Sequence, residues 1–150
     1  MDSLRVDNGI RKIEVNDNGD CIEFSVSDGG FFKGFSELLQ WFDDQKTQQE
    51  IKEAEEQGNE VVSYDGKEIN YETLRNVVII RENLSKEVCK KIDNIFGDFA
   101  SEKIFGKIIP DMFSIAEFFE KISPFIEKYA KERNQTISKK YNKNRKGAKS

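Results

Sequence analysis

The sequence predicts a mainly α fold of the α+β kind: an N-terminal β-hairpin packed on an aromatic-rich helix, then a helical unit of two long helices joined by a short turn. Three observations predict it. Apolar residues alternate with polar ones on either side of an Asn-Gly turn near the N-terminus. Further on they recur at threes and fours in three separate runs. The chain has 150 residues, 37% of them hydrophobic, enough for one folded unit with a core, and 35% are charged.

Ile13 and Val15 alternate with polar residues, as do Ile22, Phe24 and Val26. Between these runs lies Asn18-Gly19, a dipeptide whose members both tolerate positive φ, so residues 10–26 read as a hairpin. One face of it needs a cover. Ser27 or Asp28 is placed to cap a following helix, and Phe31, Phe32, Phe35, Leu38, Leu39 and Phe42 then form one stripe with Trp41 beside it. The stripe suits a core, an oligomer contact or a partner groove.

Residues 43–60 change character. Only Ile51 and Ala54 are apolar and seven residues are acidic, so the segment reads as a solvated helix or a flexible linker that buries almost nothing. Around Asp65-Gly66 a second small hairpin is expected. Leu74, Val77, Val78, Leu84, Val88, Ile92, Ile95 and Phe96 predict a long helix over 71–96, capped by Asn70 and stopped by Gly97, with a β-branched run at Val77–Ile80 that suits a strand locally. Residues 101–106 form a single capped turn. Pro110-Asp111 introduces the last helix, with Ile115, Phe118, Phe119, Ile122, Phe125, Ile126, Tyr129 and Ala130 on one face; Pro124 inside it predicts a kink there or a break near Ser123. Four segments follow: 1–42 as hairpin plus first helix, 43–70 as charged helix or linker and turn, 71–138 as the helical unit, and 139–150 as a flexible basic tail.

Charge is distributed unevenly. Six of the 24 basic residues lie in 139–150 with no acid among them, which leaves 18 against 28 acids over 1–138. A body at −10 argues against nucleic acid as the main partner, although the tail alone suits anions. No apolar run is long enough to cross a membrane. Cys21 and Cys89 have no paired spacing and no apolar leader precedes them, so both read as free thiols in a reducing cytosol, Cys89 as a small core residue.

Chemistry finds little footing. The chain has no histidine, which removes Ser–His–Asp and Cys–His catalysis and His-containing zinc sites, and two cysteines cannot form a Cys₄ site. Asp43-Asp44 point apart on a helix, and Glu53 and Glu56 share a face of an exposed segment. Gly106-Lys107 is followed by Ile108, so no P-loop is present. No catalytic residue, cofactor or metal ligand is assigned, and an enzyme is not expected. What remains is apolar surface: twelve phenylalanines, concentrated in 31–42 and 96–125.

The stretches VCKKIDNIFGDFASEKIFGK and SIAEFFEKISPFIEKYAKERN, spanning 88–134, resemble the tail assembly chaperones of long-tailed (siphophage-type) phages and prophages of Gram-positive bacteria. The motifs are Ile95-Phe96-Gly97, Ile104-Phe105-Gly106 and a closing helix ending near Lys-Glu-Arg-Asn. The opening IRKIEVNDNGDCIEFSVSDGGFFKGFSELLQWFDD looks like the start of such proteins, whereas 43–70 matches no part of them. The resemblance implies a non-enzymatic protein of the bacterial host cytosol. It would coat the apolar, helical tape measure protein, then yield to tail tube subunits, and act as a homo-oligomer. Many such families also make a longer form by ribosomal frameshifting. The partner-binding residues expected on this reading are Phe31, Phe35, Leu38, Phe42, Phe118, Phe119, Ile122 and Phe125. Two alternatives stay open: a self-assembling capsid or connector component, and a nucleic-acid-binding regulator that uses the basic tail.

Overall fold

The computed structural model describes residues 1–58 and 71–148, with side chains over 1–53 and 71–142. Strands β1 (Ile10–Glu14) and β2 (Cys21–Ser25) precede helices α1 (Gly29–Gly58), α2 (Tyr71–Phe96), α3 (Ala100–Phe105) and α4 (Met112–Ala148). The chain is mainly α with an antiparallel two-stranded hairpin, as its periodicity predicts. Among the described residues no helix is long and apolar enough to cross a membrane. The expected second hairpin and the Asn70 cap lie outside the described residues.

The hairpin pairs Ile10 with Ser25 through Glu14 with Cys21. Its turn is built by Asn16, whose side-chain oxygen accepts the N–H groups of Asn18 (2.9 Å) and Asp20 (3.2 Å), while Gly19 takes φ +82°. The Asn16 amide also donates to the Lys103 carbonyl at 3.0 Å, which fastens the turn to α3. A second glycine matters at the other end of the hairpin. Gly9 has φ +68°, and a Cβ there would lie 2.8 Å from the Ser27 nitrogen and against its hydroxyl.

Asp28 caps α1, accepting the Gly30 N–H on its side chain at 2.8 Å. The helix does not stop near 42 but runs unbroken to Gly58, so the boundary expected at 42 falls inside it. The stripe runs on as well: Gln49 continues the seven-residue step Phe35, Phe42, Gln49 and is buried, whereas Ile51 sits more than half a turn away and is exposed. The expectation that this segment buries almost nothing is thus corrected at Gln49 and at Glu53, whose side chain is only 16% exposed and is ion-paired to Arg81.

Helix α2 matches its predicted bounds, and Val77–Ile80 is helical rather than a strand. Val77, Leu84, Val88, Ile92 and Phe96 are buried; Leu74 and Val78 lie one residue off that stripe and are exposed. The cap of α3 comes from outside its own segment: the Asp93 carboxylate on α2 accepts the Ser101 N–H at 2.7 Å. Asp111 caps α4 through the Ser114 N–H at 2.7 Å.

Of the kink or break expected at Pro124 in helix α4, the structure excludes the break, since the helix continues through the proline. Pro124 and Glu120 are both exposed, and on an exposed face the hydrogen bond that a proline removes costs less than on a buried one. Just beside the proline the Ser123 hydroxyl donates to the Phe119 carbonyl at 2.7 Å. The helix also runs on to Ala148 in place of the flexible tail expected from 139; no glycine or proline lies between Pro124 and Gly147 to interrupt it.

One core joins the elements. Ile22, Phe24 and Val26 meet Phe31, Phe35, Leu38 and Phe42 of α1, Val88, Ile92 and Phe96 of α2, and Ile115, Phe118, Phe119, Ile122 and Ile126 of α4. Phe96 is its hub, standing edge-on to Phe24, Phe31, Phe35 and Phe118 with centroids 5.6–6.4 Å away.

Candidate functional site

The N-terminal part of α4 and the short helix α3 leave an apolar groove beside β1. Alternation along the strand turns Ile13 and Val15 toward the helices, where both are half-buried. Ile104 and Phe105 of α3 form one wall and Phe118, Ile122 and Phe125 of α4 the other. The groove encloses about 460 Å³. At its mouth Phe125 is 41% exposed and Ile108, from the α3–α4 loop, 69% exposed. The rim is polar. Glu14 lines one side, and on the other Lys121 pairs with Glu117 at 2.8 Å. Hydrogen bonding and attraction from that carboxylate hold the Lys121 ammonium above its ordinary value.

A second cavity of about 430 Å³ lies between α2 and the α3–α4 loop, lined by Ser85, Cys89, Ser101 and Phe105 among others. Burial raises the Cys89 thiol above its ordinary value, which keeps it protonated and a poor nucleophile. Cys89 is half-buried in the wall of this cavity instead of filling the core. Among the described residues no three His, Cys, Asp or Glu side chains converge as metal ligands would. A groove of this composition accepts apolar side chains under a charged rim.

The eight residues assigned to partner binding divide sharply. Phe31, Phe35, Leu38, Phe42, Phe118, Phe119 and Ile122 are all at most 8% exposed and pack against one another in the core; Phe125 alone is exposed. Phe118 and Ile122 still present an edge to the groove, which the α1 residues do not line. Sequence reasoning missed Ile108 at the mouth and Ile13 and Val15 as groove walls. A signal for Ile108 existed: Ile108-Ile109 is an apolar pair in a loop next to proline, and both residues are exposed.

Fold and groove together define a small, mainly α protein with a surface suited to apolar segments. The chain belongs to a family of unknown function (DUF6673), which it matches over residues 18–150. No curated protein and no solved structure matches it.

Proposed function

We propose that the protein is a tail assembly chaperone of phage or prophage type, which holds the tape measure protein in solution while the tail is built. The observation that carries this reading is the open groove, because the segment resembling such chaperones supplies Ile104 and Phe105 to its wall and Phe125 to its mouth. An amphipathic helix laying apolar side chains into a groove is an established mode of recognition. The tape measure protein is a long array of such faces. Modest affinity at each groove, repeated over many copies along one partner, would give a coat that tail tube subunits can displace. Within this reading Phe125 and the groove edges of Phe118 and Ile122 touch the partner. Phe31, Phe35, Leu38, Phe42 and Phe119 keep the groove in shape from behind.

The test is co-expression with the tape measure protein encoded nearby in the same genome, followed by pull-down and light scattering. Expected is a soluble complex carrying many copies of this chain. Phe125→Asp, at an exposed position, should leave the chain folded and reduce the recovered complex at least tenfold. A tape measure protein that stays insoluble, while this chain closes into a ring or shell alone, would replace the proposal with that of a structural component.

A further inference from the structure

Among the described residues strand β1 has one neighbour, β2. Its odd-numbered residues bond to β2, as the flanking bonds from Val15 N–H to the Asp20 carbonyl (2.9 Å) and from Val26 N–H to the Gly9 carbonyl (3.0 Å) establish. The backbone groups of Ile10, Lys12 and Glu14 therefore point to the opposite edge. Those of Ile10 are taken up locally, its N–H by Asn8 and its carbonyl by Arg11. Those of Lys12 and Glu14 have no hydrogen-bond partner among the described residues. The N-terminal arm does not cover this edge: Leu4 and Val6 are exposed, and Asp7 is drawn to Arg133 on α4.

We propose that this edge pairs with β1 of a second copy of the chain, antiparallel about a two-fold axis through Ile13, to make a continuous four-stranded sheet. Charge selects that occupant and that register. Lys12 and Glu14 stand two residues apart on the solvent face. With Ile13 opposite itself, Lys12 of each copy lies directly across from Glu14 of the other, so two opposite-charge pairs form at once. Their backbone groups are also the ones that point outward, so the same pairs exchange the bonds of the new ladder. Shifting the register to set Lys12 against Lys12 would oppose like charges and leave Glu14 across from Ile10, with no opposite-charge pair formed. Charges that merely guard an edge against pairing do so best when they share one sign; here the signs alternate and are self-complementary. On the helix side, Ile13 meets its copy above the apolar groove, and the added strands cover the floor that Ile13 and Val15 now leave half open. The interface shares Ile13, Glu14 and Val15 with the groove; its test uses the chain alone, so its outcome is independent of any hold on a tape measure protein.

The test is sedimentation velocity of the purified full chain over a hundredfold range of concentration, with far-UV circular dichroism as a fold control. Expected is a rise from the 17.4 kDa monomer to about twice that mass. Glu14→Lys and Lys12→Glu should each remain monomeric with unchanged helical signal, since each opposes like charges at both pairs. An equimolar mixture of the two variants should dimerise again, because every pair across that interface is complementary. A wild-type chain that stays monomeric throughout, or variants that dimerise as the wild type does, would overturn the proposal.

Discussion

Single acidic side chains stand at the starts of α1, α3 and α4. Asp28, Asp93 and Asp111 all turn a carboxylate oxygen onto a free N–H at a helix start. At Asp111 the Ser114 N–H, foremost, holds the carboxyl below its ordinary value of 3.8. A carboxyl lowered in the folded state adds stability that is complete well above 3.8 and is lost as pH falls through the folded value. Asp111→Ala should therefore cost about 1 kcal/mol at neutral pH. The gap to wild type should narrow as the pH drops below that of the free carboxyl, measured as urea midpoints at a series of pH values. A gap that stays constant into acid would mean that the charge plays no part in the cap. Phe99, just before α3, takes φ +64° and is exposed, a costly geometry for an aromatic residue that the Asp93 cap beside it helps to hold.

Whole elements show which sequence rules bend. Proline inside a helix is expensive chiefly through the lost bond and the ring clash one turn back. Helix α4 meets that cost on its exposed face and continues to Ala148. Replacing this residue restores the donor without disturbing the buried face. Pro124→Ala should raise stability by on the order of 1 kcal/mol, seen as a higher urea midpoint with an unchanged slope. A lower midpoint would show that the ring packs productively where it sits. Helix α1 teaches the converse lesson. Polar composition over 43–60 suggested a segment that buries almost nothing, yet the helical phase set by Phe35 and Phe42 carries Gln49 under its neighbours.

At the scale of the molecule, the ring cluster makes the hairpin and the helices one cooperative unit. Phe96 touches rings from β2, α1 and α4 while itself belonging to α2. Truncation to alanine would open a cavity shared by four elements, with an expected loss of about 3–5 kcal/mol. The single tryptophan, Trp41 on α1 with the Lys91 ammonium 4.8 Å above its ring, reports on the packing of α1 against α2. Its fluorescence and the far-UV signal of the helices should therefore give coincident unfolding curves, in the wild type and in Phe96→Ala. Separate transitions would divide the fold into two units, as the sequence boundary near 42 had suggested.

The amino-acid sequence by itself determined the kinds of element and most of their starts and stops. The alternation around Asn18-Gly19, the Asp111 cap and the stop at Gly97 act within a few residues of one another, so they are legible without knowing the rest of the chain. The stripes on α1, α2 and α4 were legible too, as apolar faces seeking a cover. Only the tertiary structure decided what covers them. It buried Phe31, Phe35 and Phe119 in each other and left Phe125 and Ile108 at the mouth of a groove, although all five are equally apolar in sequence. It placed Gln49 inside and Ile51 outside, and it brought Asp93 to the start of α3. Burial depends on which neighbour lies over a face, and that neighbour comes from residues tens of positions away; periodicity, a local property, records that a face is apolar but not what it meets.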